Sequence, residues 1–342
     1  MDSDRGFLML FDSIRSQEGP VSILKKALYH GRVPTAYLFT GPPGCGRMMA
    51  ALATAASLNC QSGAIACGSC SSCLLYSAGN HPDLYLIGLP EGKRQIVIKQ
   101  IREQILARAY LKPMSGKTST FIVQDAHLIN MNASNAFLKT LEEPPATSHF
   151  ILIATDRDSV LPTISSRCQT LAFSPLPRLV VEDILLKEGI QKSQASLLAA
   201  MAKGSVKKAL AYQSTGALEE MAGEFEPLSS LHNYGVGQLL DLAQRWGRNR
   251  QDALGVLEFM AQWYRDMLIL FEGVPEDQVI HVAHIQELKK GADSIGGVNL
   301  ASILESVEDA REAIEANTNV QLTLDTLLLR VRNHTLPTEK SA

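Results

Sequence analysis

The sequence predicts an α/β fold, a parallel and doubly wound sheet, followed by a region built from helices alone. Three observations carry this expectation. A short apolar run, Ala36 to Thr40, leads through a glycine loop, Gly41 to Met48, into an alanine-rich stretch, Met49 to Leu58. Further apolar runs then alternate with helical patterns as far as Phe173, the spacing that gives a sheet covered on both faces. Beyond the stretch Gly216 to Ser230 everything reads as helical.

The chain has 342 residues, 46% of them hydrophobic, and a formal charge of -3, which suits a globular protein of two or three domains. No apolar run reaches the ~18 residues of a membrane span, and the early Asp2, Asp4 and Arg5 do not form a signal-peptide pattern, so a cytoplasmic chain without membrane contact is expected. The near-neutral balance argues against grip on nucleic acid by bulk charge.

Taken in order, Phe11 to Arg32 reads as a helical entry segment, with Ile23, Leu24, Ala27 and Leu28 on one side and Lys25 and Lys26 on the other. Strand, glycine loop and helix then make a cradle whose backbone N–H groups face an anion at the helix N-terminus. The full motif would be G-x-x-x-x-G-K-[ST]. Gly41, Gly44 and Gly46 keep its backbone, but Arg47 stands at the lysine position and Met48 at the position of the Mg²⁺-binding hydroxyl. A thioether is a poor ligand for a hard cation.

Cys60, Cys67, Cys70 and Cys73 follow with spacing C-x6-C-x2-C-x2-C. Four soft ligands in one small loop suit tetrahedral Zn²⁺ in a closed structural site. A redox C-x-x-C pair and unliganded thiols are the alternatives. His81, beside Pro82, reads as a capping or packing residue and is left outside the metal set. Leu84 to Leu89 reads as a strand, Lys93 to Lys99 as a basic stretch and Ile98 to Leu111 as an amphipathic surface helix.

Thr120 to His127 is a buried strand ending in polar residues. Where a nucleotide-hydrolysing site of this type has an Asp for Mg²⁺ and then a Glu for water, Gln124 and Asp125 stand here. Arg47, Met48 and Gln124 together predict a chain that does not hydrolyse ATP. Asn135 to Pro145 reads as a helix carrying Glu142 and Glu143 and stopped by two prolines. Phe150 to Thr155 and Thr170 to Phe173 complete the strands, with Leu161 to Cys168 between them.

Lys139 to Pro145, then Ser166, Arg167 and Cys168, with the glycine loop and the four cysteines, resemble the bacterial clamp-loader branch of the AAA+ ATPases. The resemblance covers nearly the whole chain. It implies an AAA+ P-loop domain over 1–175 with a zinc-binding insertion at 60–73, a small helical lid at 176–222, an all-α collar at 223–336 and a tail at 337–342. It also implies that Arg167 is an arginine finger reaching the γ-phosphate held by a neighbouring subunit, a fixed planar cation placed where negative charge gathers. Thr155 falls at the family's sensor position, and Lys207 or Lys208 near its second sensor. The degenerate loop Gly41, Gly44, Gly46 and Arg47 gives no expectation of bound ATP. Implied partners are other clamp-loader subunits, of tau/gamma and delta types, in a hetero-oligomeric ring, with the sliding clamp and primed DNA reached through the complex.

Pro175 to Pro177 reads as a hinge, Val180 to Tyr212 as short helices and Gly216 to Ser230 as a second linker. Leu254, Leu257, Ala261, Tyr264, Leu268 and Phe271 form one helical stripe, and Leu300, Ile303, Val307, Ala310 and Ile314 another. Asn317 to Arg330 reads as a closing helix and the tail from Pro337 as disordered. Two rival functions stay open: an active ATPase, close to a tau/gamma motor or a branch-migration helicase, in which Arg47 replaces the lysine, and a zinc-dependent DNA-binding regulator.

Overall fold

A computed structural model describes residues 10–90, 92–214, 228 and 231–335. They fall into two compact units, Met1–Ala209 and Leu210–Ala342. The linker expected at 216–230, apart from Leu228, and the tail from 337 lie outside the described residues.

The first unit is built on five parallel strands. In chain order these are β1 (Ala36–Thr40), β2 (Leu84–Ile87), β3 (Ser119–Val123), β4 (Ser148–Ala154) and β5 (Gln169–Ala172). In space the order is β2-β3-β4-β1-β5. The early strand β1 is therefore inserted between the two latest, Leu38 facing Leu152 of β4 and Thr170 of β5. Every residue of β1 and β3 is buried, as continuous apolar runs covered on both faces must be. Aromatic rings fill one side: Phe121 stacks on Tyr85 and Phe150, and Phe137 meets Phe150 edge-on at 5.4 Å.

The helices of this unit are α1 (Glu18–Tyr29), α2 (Arg47–Leu58), α3 (Ser71–Ser77), α4 (Ile98–Ile101), α5 (Ala107–Ala109), α6 (Met131–Glu142), α7 (Pro162–Ser165), α8 (Arg178–Lys187), α9 (Lys192–Met201) and the start of α10 (Val206–Ser214). Several depart from the periodicity. The entry segment is broken: a 3-10 turn at Phe11–Ser13 is cut off from α1 by Ser16, held at φ +52°, and Ile23 faces outward while Leu24 and Leu28 are buried. The stretch read as one amphipathic helix passes from α4 through a π-helical turn, Arg102–Leu106, into α5. The extra residue in that turn keeps Ile101, Ile105 and Ala109 all buried. α6 begins four residues earlier than its apolar pattern, because the Asn130 side chain accepts from Ala133 N at 2.9 Å and caps it.

The proline segment read as a hinge is tied down. Leu176 N donates to Gly204 O at 3.1 Å, and a Cβ on Gly204 would lie 2.7 Å from Leu176 N, so only glycine permits this approach. Of the helices after Pro177, α8 and α9 lie within the first unit, whose boundary at Ala209 falls inside α10.

Asp83, fully buried, organises the loop ahead of β3. Its carboxylate accepts from the backbone N–H of Met114 (2.5 Å), Ser115 (2.9 Å) and Gly116 (2.7 Å). Burial alone would raise this carboxyl, but the three donors prevail and hold it below the ordinary carboxylate value. Its stabilising contribution is thus present above the ordinary carboxylate range and is lost as pH falls through the depressed value. Asp83→Asn is expected to cost about 2–3 kcal/mol in denaturant melts near neutral pH. The deficit should shrink toward acid pH, and an equal deficit at all pH would reject the assignment.

The second unit contains α11 (Val236–Trp246), α12 (Arg250–Phe271), α13 (Ile285–Ile295), α14 (Gly297–Glu315) and α15 (Val320–Thr335). The stripe Leu300, Ile303, Val307, Ala310 and Ile314 is buried throughout, against Leu257, Trp263 and Tyr264 of α12 and Leu324, Leu327 and Leu328 of α15 in one core. Phe271, at the end of the other stripe, is 45% exposed. The expected closing helix runs as α15 to Thr335, five residues beyond Arg330. Buried Asp266 accepts from His281 Nδ1 at 2.8 Å and from the backbone N–H of Ile280 and His281, pinning that segment to α12. Among the described residues no helix is long and apolar enough to cross a membrane.

Candidate functional site

The glycine loop joins β1 to α2 at the carboxyl end of the sheet, the position in a doubly wound fold where ligands bind. Two glycines are fixed by their surroundings. Gly41 has φ +140° and a Cβ there would meet Phe173 O at 2.3 Å; Gly44 has φ +78° and a Cβ would meet Lys207 N at 2.4 Å. Gly46, at φ +107°, is the N-cap of α2. Gln17, which no motif marked, braces the loop from outside: its Nε2 donates to Ser174 O at 2.7 Å and to Cys45 O at 3.3 Å, and its Oε1 accepts from Ser174 N. Ser205 Oγ donates to Pro43 O.

Arg47 does not present its charge as a phosphate ligand would. It is buried, 8% exposed, and Nη1 donates to the carbonyl of Ala154, the last residue of β4. Burial pulls the guanidinium below its ordinary pKa, while Cys45 and Asp125 act to raise it. The neighbouring Cys45 thiol is pushed up by burial, against the opposing pull of Arg47. Asp125 sits just past β3 in the left-handed conformation, φ +51°, and Gln124 N donates to Ile87 O at 2.7 Å. Thr155 closes this end of the sheet: its carbonyl accepts from Gly41 N at 2.9 Å and its hydroxyl donates to Asp156.

Cys60, Cys67, Cys70 and Cys73 converge at the far end of α2, where their sulfur atoms all lie within 4.8 Å of one another. Tetrahedral Zn–S bonds of about 2.3 Å require S···S edges of about 3.8 Å, so this cluster fits a four-thiolate ion after a small contraction. Cys70 N points at Cys67 Sγ (3.3 Å) and Cys73 N at Cys70 Sγ (3.5 Å), donors that favour thiolate over thiol. The four cysteines can hold a metal ion. Cys70 is the N-cap of α3, with extended backbone, and Cys73 lies inside that helix, so one of the four ligands is helical rather than looped.

His81 lies outside the ligand set. It is buried, stacks on Tyr76 at 4.1 Å and shares a hydrogen bond with Ser72. Asn59, next to Cys60, links the knot to the sheet: Nδ2 donates to Tyr76 Oη and Thr118 O, both at 2.8 Å, and Oδ1 accepts from Lys117 N and Thr118 N. The only sequence signal for Asn59 and Asp83 was a polar residue beside an apolar run, a pattern too common to single them out.

Arg167 follows α7 on a separate part of the unit. Nε donates to Glu142 Oε1 at 2.8 Å and Nη2 pairs with the same oxygen, while Nη1 donates to Thr163 O (2.9 Å) and Ser166 Oγ (3.3 Å). Glu142 lies at the end of the helical pattern in the sequence, 25 residues from Arg167, a separation that carries no local sign of this pairing.

Strand order and loop position define a P-loop NTPase-type domain of the AAA+ kind, with helices alone among the described residues of the second unit. The family described as DNA polymerase III, delta subunit, matches residues 16–177. The DNA polymerase III subunit delta' of Bacillus subtilis is 30% identical over 318 residues, covering 91% of this chain and 95% of its own. That of Pseudomonas aeruginosa is 28% identical over 306 residues, covering 86% and 90%. The subunit gamma/tau of Mycobacterium tuberculosis is 35% identical over 188 residues, 53% of this chain but 32% of its own. The chain belongs to the DNA polymerase III delta' family.

Proposed function

We propose that this chain is a non-hydrolysing delta'-type subunit of the clamp loader within the DNA-directed DNA polymerase III holoenzyme, a cytoplasmic complex. It lends Arg167 in trans to the ATP site of an adjoining subunit of tau/gamma type and helps place a sliding clamp on primed DNA. The lid at 176–222 and the collar at 223–336 carry it into a ring that also holds a delta-type subunit.

The observation that carries this reading is the inward turn of Arg47. A residue at the phosphate-binding position spends its charge on a strand carbonyl beside Cys45 and Asp125, while Met48 and Gln124 offer Mg²⁺ no hard anionic ligand. The cradle keeps its backbone but not the side chains that hold and polarise a triphosphate. Gly41 and Gly44 then serve the packing of the loop against Phe173 and Lys207, and Gly46 its packing against Ile14. Cys60, Cys67, Cys70 and Cys73 hold a structural Zn²⁺, which leaves no open coordination position for catalysis.

Steady-state ATP turnover by the isolated chain with Mg²⁺ tests this. No turnover above a protein-free blank is expected, and no saturable binding of a fluorescent ATP analogue below about millimolar concentration. Brisk Mg²⁺-dependent turnover abolished by Arg47→Ala would overturn the reading in favour of an active motor.

A further inference from the structure

The geometry points to Glu142 as a positioning residue that holds Arg167 back until the neighbouring ATP site is filled. This rests on the finger role proposed above and adds to it a partner within the same chain. In the free subunit each guanidinium nitrogen has a partner: Nε and Nη2 on Glu142 Oε1, Nη1 on Thr163 O and Ser166 Oγ. To reach a phosphate on another subunit, Arg167 must give up Glu142.

Two features make Glu142 a latch rather than a structural strut. It is the last residue of α6, where aligned backbone carbonyls leave negative potential, so a carboxylate there does not help the helix on its own account. The pair is also half open to water, with side-chain exposures of 34% for Arg167 and 47% for Glu142. An ion pair so exposed is weak, and a γ-phosphate, with more charge and more acceptor oxygens, outcompetes it. Exchange of one anion for the other is therefore favourable only when nucleotide is present next door.

Where the engaged arrangement is the minority, as a latch requires of the complex without DNA, weakening the latch raises the engaged fraction in proportion. In the reconstituted complex without DNA, Glu142→Gln is expected to raise ATP turnover about two- to five-fold, the factor an exposed pair is worth. The excess should fall as salt is raised from about 0.05 to 0.5 M, since the latch it removes is screened. Glu142→Asp, which keeps the charge, should return turnover toward the parent value, and Glu142→Gln placed on an Arg167→Ala background should do nothing. A thermal melt equal to the parent's excludes a folding defect. If Arg167→Ala lowers turnover while Glu142→Gln leaves it unchanged or lowers it, the latch is wrong and the finger stands. If Arg167→Ala itself changes nothing, the finger reading falls.

Discussion

Arg167→Ala is expected to slow ATP hydrolysis at the adjoining site by about 10³-fold, while the subunit folds and enters the ring as before. The magnitude is that of a permanently charged donor stabilising a phosphoryl-transfer transition state in trans. Folding should be nearly indifferent, because what the substitution removes from the monomer is a half-exposed pair with Glu142 and two hydrogen bonds within and beside α7. The assay is DNA-stimulated turnover of a reconstituted complex in which the adjoining subunit alone is hydrolysis-competent, so that other sites do not mask the loss. Arg167→Lys should recover little, since an ammonium cannot reproduce the planar fork. Unchanged stimulated turnover with normal ring assembly would remove Arg167 from the reaction.

Replacing Cys67 and Cys70 together by serine should release about one zinc per chain and destabilise the first unit by several kcal/mol. Structural zinc contributes on the order of 10 kcal/mol in small peptides, and part of that is retained here by the packing around it. Cys60 and Cys73 are buried against Ala55, Ala56 and Tyr76, so an apo knot would keep some apolar contact. The damage should travel through Asn59, whose bonds to Lys117, Thr118 and Tyr76 presuppose the end of α2 and the last turn of α3 in their places. Metal analysis of protein purified without added zinc, with thermal melts of parent and variant, measures both effects. A parent protein free of zinc that melts no lower than a zinc-loaded sample would reject a structural metal.

Much of the first unit was legible because parallel strands buried on both faces leave unmistakable apolar runs. Leu38, Phe121 and Leu152 all announce themselves in this way. Helix boundaries were less legible, since a cap such as Asn130 or a left-handed break such as Ser16 acts through backbone hydrogen bonds that apolar periodicity does not encode. The basic residues Arg47 and Arg167 were visible as departures from, or matches to, a motif. Their partners, Ala154 O and Glu142, lie 107 and 25 residues away and came only with the fold.

By itself the sequence determined the α/β class, the helical second half, the degenerate phosphate loop and the identity of the four cysteines, because each is written in local spacing and residue type. The tertiary structure decided where charge goes: that Arg47 turns inward to a strand end, that Arg167 lies against Glu142, and that the cysteines meet within 4.8 Å. The physical reason is that an ion or a guanidinium selects its partners by distance and burial in space, and neither quantity exists until β1 has been inserted between β4 and β5.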